Sequence, residues 1–289
     1  MINDLIYLVG MKTMTKLLEN KVAMITGGAS GIGEGITNVL SEKGAAVAIC
    51  DIDENAAKNL AEKINSSGGN AISGYVDVVD KKSLDEFVSY INSEFGNLSI
   101  CVPNAGVVGS KDFSYRKDYN DSDWEMTIDV NLLGVKNTVD SVKDKFISSK
   151  EGKIVIISSH GGRKPRGTGD KGRGNVQHPY LVSKAAVIQY MHLLAQELGS
   201  HNINVNAVCP GRIWTPIWEA IAVNNKEVNP EYKEMSNYEI FIEQIKQVMP
   251  LGRPQTPEDI GNAVSFLVSP DASEITGQAL NVNGGASMN

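Results

Sequence analysis

The sequence predicts an α/β fold: one doubly wound parallel sheet of about seven strands, with helices on both faces. Two observations carry this expectation. Short runs that are apolar at nearly every position alternate with amphipathic helical stretches, as strands covered on both faces require. The first of these runs also empties into a cluster of glycines that opens a helix, a turn suited to holding a phosphate group.

In chain order the expected strands are KVAMIT (21–26), AAVAICD (45–51), AISGYVD (71–77), LSICVP (98–103), GKIVIISS (152–159), INVNAVCP (203–210) and QALNVNG (278–284). Between them lie helical faces. Ile32, Ile36, Val39 and Leu40 make one, Leu84, Phe87, Val88 and Ile91 a second, and Ile188, Met191, Leu194 and Ala195 a third. The stretch 213–255 breaks the rhythm. It is helical and polar and follows the sixth strand, so it falls at the carboxyl edge of the sheet, where such folds bind ligands. No repeat, low-complexity tract or linker divides residues 19–289, which are expected to form one domain. Residues 1–18 are expected to be a poorly ordered extension outside the core.

Composition narrows the function. Lys and Arg number 27 and Asp and Glu 34, a net charge of −7, which gives no support to nucleic-acid or anionic-membrane binding. Cys50, Cys101 and Cys209 are too scattered for a disulfide frame or a zinc site and are expected as buried thiols in a reducing cytoplasm. No run approaches the length needed to span a bilayer. The apolar run Leu5–Met11 lacks the basic residues and cleavage site of a signal peptide. No metal-ligand spacing is present.

Three features point to chemistry. After the first strand, Gly27, Gly31 and Gly33 allow a tight turn and close approach of backbone to a pyrophosphate at a helix N-terminus. Asp51 ends the second strand roughly twenty residues on, where a carboxylate accepts from ribose hydroxyls. Ser30 and Ile52 flank these positions with no cation to receive a 2′-phosphate, so NAD is expected over NADP. In QHPYLVSKAA, Tyr180 and Lys184 lie four apart on a helix and so share a face. Taken alone, such a pair reads better as a half-buried Tyr beside a snorkelling Lys; the rest of the chain decides it.

The motifs TGGASGIG (26–33), NAG (104–106), VNLLG with Asn131, ISS (157–159), YLVSK (180–184) and PGRIWT (210–215) resemble, in order and over about residues 19–286, those of the short-chain dehydrogenase/reductase family in its ordinary, non-extended branch. The resemblance implies a Rossmann-type fold and an NAD-dependent oxidoreductase interconverting a secondary alcohol and a ketone. By resemblance, Tyr180 is the acid/base, and Lys184 binds the nicotinamide ribose and acidifies the phenol. Ser159 holds the substrate oxygen, and Asn131 holds a water in the proton relay. Gly27, Ser30, Gly31, Ile32, Gly33, Asp51, Ile52, Asp77, Val78, Asn104, Ala105, Gly106, Tyr180, Lys184, Pro210, Gly211, Ile213 and Thr215 fall on cofactor positions. A homotetramer and a cytoplasmic location are also implied. The chemistry supports the assignment: a free phenol titrates near about 10, so a base working at neutral pH needs its phenolate stabilised by about 4 kcal/mol, which a neighbouring ammonium favours. An NAD-binding regulator without turnover is the alternative, although a pure binding module has no need of all four residues.

The sequence departs from the family between Ser159 and Tyr180. The long segment 160–179 carries Arg163, Lys164, Arg166, Lys171 and Arg173 against a single acid, Asp170. It is expected either to clamp an anionic substrate, through Arg163 and Arg166, or to be a solvated loop or subunit contact. His160 and His178 flank it. With Trp214 and Trp218, which are expected either to wall the pocket or merely to fold the lid down, they complete the candidate substrate contacts.

Overall fold

The computed structural model describes residues 16–116, 118–163 and 178–288. All seven expected strands form: β1 Val22–Thr26, β2 Ala46–Asp51, β3 Ala71–Tyr75, β4 Ile100–Val102, β5 Gly152–Ile157, β6 Ile203–Pro210 and β7 Ala279–Val282. They make one sheet in the order β3-β2-β1-β4-β5-β6-β7, every pairing parallel. The order reverses between β1 and β4, and that crevice is where a ligand enters such a sheet.

Side chains that alternate along each strand build two cores. On one face Met24, Cys50, Cys101, Ile154, Ile156 and Val205 pack beneath α3 (Lys81–Phe95), α5 (Gly134–Ser149) and α6 (His178–Leu198). On the other, Ala23, Ile25, Ile49, Val102, Val155 and Val208 pack beneath α1 (Gly31–Glu42), α2 (Glu54–Ser66) and α9 (Pro257–Val268). The helical faces read from sequence are those that face the sheet, and the three cysteines are buried free thiols.

The expected N-terminal boundary needs correction at its inner end. Leu18 is fully buried in the second core, and its amide donates to the Lys43 carbonyl at 2.9 Å. It caps the apolar end of α1, so ordered structure includes part of the segment assigned to an extension. Residues 1–15 of that segment lie outside the described residues.

A third apolar cluster sits over the carboxyl edge of the sheet. It joins Val108 and Phe113 from the loop after β4 with Trp218 and Ile221 of α7 (Pro216–Val228) and Phe241, Ile245 and Met249 near α8 (Asn237–Val248). This is the lid expected from 213–255. It is clamped to the 107–124 loop by Asn224, whose Nδ2 donates to the Phe113 and Arg116 carbonyls. At the end of that loop, Asn120 caps α4 (Asp121–Ile128) and Asp123 completes the capping box as its third residue, also pairing with Arg116 at 2.7 Å. Among the described residues no helix is long and apolar enough to cross a membrane.

Candidate active site

The turn from β1 into α1 is built to receive an anion. Gly27 and Gly31 have φ of 60° and 52°, the left-handed region that favours glycine. A Cβ on Gly33 would stand 1.9 Å from the Gly27 carbonyl oxygen, so no other residue fits there. Ser30 occupies the N-cap but does not cap, which leaves the first amides of α1 for a ligand. The neighbouring loops are fastened to this turn. Asn104 donates from Nδ2 to the carbonyls of Thr26 and Gly27 at 3.0 and 2.9 Å, and Thr26 Oγ1 accepts from the amides of Asn104 and Ala105. The Thr215 methyl lies 3.3 Å from the Cβ position of Gly31, so the loop after β6 closes over the turn from the other side.

The other residues expected to contact a cofactor lie at or just after the carboxyl ends of β2, β3 and β6. Asp51 accepts from the Ala29 amide through Oδ2 and from the Asp53 amide through Oδ1, both at 3.1 Å, which ties the end of β2 to the glycine turn. Ile52 beside it is 68% exposed, a free apolar face at the crevice mouth. Asp77 turns the chain after β3 by accepting from the Val79 amide, and the buried Val78 gives its carbonyl to Asn137. Gly211 donates to Gln255 and to the Val282 carbonyl. Ile213 is buried beyond Pro210 and bridges to Gln255. A cradle closed to Cβ atoms, an uncapped helix start and a carboxylate at the end of β2 together fit a dinucleotide.

Tyr180 and Lys184 lie one turn apart near the start of α6, and the Lys184 Nζ stands 5.7 Å from the centre of the phenol ring. Lys184 is buried. Its Nζ donates to the Ile157 carbonyl at 2.9 Å. Burial pushes its ammonium down to about 8, with the Cys209 thiol acting in the opposite sense. α6 is fixed against β5 by Ser158, whose Oγ donates to the Lys184 carbonyl at 2.7 Å. The turn that follows Ser159 packs directly on α6: Cβ atoms on Gly161 and Gly162 would stand 2.5 Å from Leu181 Cδ2 and from the Lys184 carbonyl carbon. Ser159 is thereby held beside the first turn of α6, its Oγ accepting from the Gly161 amide.

Asn131 enters through a feature no sequence pattern announced. Residues Asp129–Leu133 form a π-helical turn between α4 and α5, and the wide turn carries Asn131 inward. Its Oδ1 accepts from the Val107 amide at 2.8 Å, and its Nδ2 donates to the Val107 carbonyl and to Ser183 Oγ. A Cβ on Gly106 would lie 3.3 Å from Asn131 Oδ1 and 3.4 Å from Lys184 Nζ, so the NAG loop, Asn131 and Lys184 meet.

The substrate contacts expected from sequence fare differently. Arg163 is corrected: its Nη1 donates to the Ala279 carbonyl on β7 and its charge lies against Cys209, so it is engaged with the sheet edge rather than held out for an anion. Arg166 lies outside the described residues, as does 164–177 as a whole. His160 is buried in the turn after Ser159, while His178 is exposed and its ring lies tilted against that of Tyr119, centroids 5.1 Å apart. Trp218 is buried against Phe241, whereas Trp214 is half-buried and packs on Tyr238 and Phe241. Beneath them lies Arg212, which the motif PGRIWT contains but which sequence reasoning passed over. Its guanidinium carbon stands 5.1 Å over the Trp218 ring. Among the described residues no cluster of metal-ligating side chains occurs.

This fold and this constellation define a nicotinamide-dependent oxidoreductase, and the comparisons agree. The family model described as enoyl-(acyl carrier protein) reductase matches residues 27–287. The chain is 36% identical over 273 residues to the 3-oxoacyl-[acyl-carrier-protein] reductase of Chlamydia muridarum, covering 94% of this chain and 99% of the relative. It is 33% identical over 274 residues to the 2,3-dihydro-2,3-dihydroxybenzoate dehydrogenase of Bacillus subtilis, covering 94% and 98%. The 3-ketoacyl-(acyl-carrier-protein) reductase of Brucella melitensis, solved with NADH, superposes with a TM-score of 0.76 at 29% identity, covering 94% of this chain and all of that one. The chain belongs to the short-chain dehydrogenase/reductase family.

Proposed function

We propose that this protein is an NAD-dependent dehydrogenase/reductase that interconverts a secondary alcohol and its ketone, with a preference for a substrate bearing an anionic group. The observation that carries the reaction is the buried Lys184 one turn from Tyr180, with Ser159 packed against the same helix end and Asn131 behind it. The bound dinucleotide supplies the hydride acceptor or donor. The residues do the rest. Tyr180 takes the hydroxyl proton in the oxidative direction and returns it in the reductive one. Lys184 stabilises the phenolate, and Ser159 donates to the oxygen on which charge develops. Asn131 anchors a water that carries the proton outward.

NAD is favoured over NADP because Asp51 presents a carboxylate where a 2′-phosphate would have to sit. The solved relative carrying NADH is consistent with this choice. An anionic substrate has a parallel in the relative named for a benzoate. A homotetramer acting in the cytoplasm completes the reading. On α6, Val182 and Leu193 are 49% and 55% exposed, apolar surface that a partner subunit would cover; a single 31.1 kDa species in sedimentation would refute assembly. The test of the activity is NADH formation from NAD with neutral and anionic secondary alcohols. Absence of turnover with every member of both classes would overturn the reading.

A further inference from the structure

Among the described residues, Arg212 is the largest side chain that the fold closes off almost completely, at 1% exposure. It lies in the loop after β6, at the carboxyl edge of the sheet and beneath the lid. Its guanidinium is poorly served. Among the described residues its hydrogen bonding is limited to Nη1 donating to Gln244 Oε1 at 3.3 Å, and Nε has no partner. Among the described residues no carboxylate pairs with it; the compensation in place is the face of Trp218. Arginine does not lose its proton in a protein, so burial cannot neutralise it. A cation held this way is unfavourable until an anion arrives.

A second observation points the same way. Asn225 of α7 is also buried, and neither its Oδ1 nor its Nδ2 has a partner. It is seven residues from Trp218 and four from Ile221, so the three share the inward face of α7. The underside of the lid thus holds two buried polar groups, the Arg212 Nε and the Asn225 amide, that want partners. The Tyr180 ring packs against the apolar cluster of the lid.

We propose that Arg212 is the specificity-determining residue for a carboxylate on the substrate, received side-on by the Nε edge of its guanidinium beneath the lid. The inference rests on the secondary-alcohol reading above and deepens it. It moves the anion preference from the basic segment 160–179 to a single buried cation. The chemistry selects a small hydroxy or keto acid. A carboxylate matches the planar fork of two parallel N–H donors, and an ester presents no charge to it. Such a desolvated contact contributes on the order of ten- to hundredfold in kcat/KM, and because it is buried it persists at moderate salt.

The test uses the full chain with NAD, in wild type, Arg212→Met and Arg212→Lys. Turnover is measured on hydroxybutanoates and their methyl esters, and binding is followed by thermal shift with butanoate and methyl butanoate. The expected results are a wild-type preference for acid over ester, stabilisation by butanoate alone, and loss of both in Arg212→Met. Arg212→Met should also melt higher than wild type without ligand, since the uncompensated charge is gone. Arg212→Lys keeps the charge without the fork and serves if Met fails to fold. It should lose at least about tenfold of the acid preference. Equal effects of either variant on acid and ester, or an unchanged preference in a destabilised Arg212→Met, would overturn the proposal while leaving the oxidoreductase reading intact. Arg212-dependent butanoate binding without turnover of any hydroxybutanoate or ester would do the reverse.

Discussion

Replacing Asp123 with Ala should loosen the lid, and the size of the effect follows from what the carboxylate holds. Asp123 is completely buried. It accepts from the Ser110 amide and hydroxyl, from both Nη atoms of Arg116 and from the Asn120 amide, at 2.7 to 2.8 Å. Burial alone would raise its carboxyl; the Arg116 guanidinium and these donors outweigh it and hold the group well below the usual carboxylate range. Removing one partner of such a pair costs about 3–5 kcal/mol. The low end applies here, because Arg116 is partly exposed and can rehydrate. With an unfolding entropy of about 2.1 cal/mol/K per residue, the whole chain would melt about 5 °C lower. If only the loop opens, the loss appears instead as earlier proteolysis between 107 and 124 and a raised substrate KM at unchanged NAD affinity. The pH dependence has a definite sign. A depressed carboxyl contributes above its unfolded value, about 4, and the contribution fades as pH falls through the folded value. The gap in melting temperature between wild type and Asp123→Ala should therefore narrow below about pH 4. A variant that melts within about 1 °C of wild type, with an intact loop and normal KM, would refute the role assigned to this carboxylate.

Asp51→Ala should weaken NAD binding and raise tolerance of NADP, as compared by kcat/KM; wild type using both cofactors equally would sink the argument from charge. Lys184→Met should remove a pH dependence of stability in the cofactor-free protein. The folded-state Lys184 titrates near about 8 against about 10.5 unfolded, so the unfolded state binds more protons between those values, and wild-type stability should rise with pH across that window by on the order of 3 kcal/mol. A flat wild-type profile from pH 8 to 10.5, or the same rise in the variant, would contradict this. Gly33→Ala should abolish dinucleotide binding, because its Cβ would occupy the space of the Gly27 carbonyl; normal NADH affinity in that variant would be incompatible with the turn described.

The sheet and the cofactor crevice were legible because their causes are local. Strands buried on both faces must be apolar throughout, and a turn with two left-handed residues must have glycines at Gly27 and Gly31. The Tyr180–Lys184 pair follows from helical spacing alone. What escaped depends on contacts between distant segments. Arg163 reads as a free cation in a basic run, yet its partner is a backbone carbonyl on β7, more than a hundred residues away. Leu18 reads as part of an apolar tail, but the end of α1 needs it. Arg212 sits inside a recognisable motif, and nothing in its neighbours foretells that Gln244 and Trp218 will enclose it. The π-helical turn at Asn131 leaves no mark on the periodicity of so short a stretch.

The central claim is that Tyr180 moves the proton while the crevice binds the cofactor independently of it. The most direct measurement is turnover and NADH affinity of Tyr180→Phe, the latter by fluorescence titration. The account predicts that the rate falls by at least the roughly hundredfold to ten-thousandfold typical of a lost general base, with NADH affinity within a few-fold of wild type. A Tyr180→Phe protein with near-normal kcat, or one that has lost NADH binding along with its activity, would contradict it.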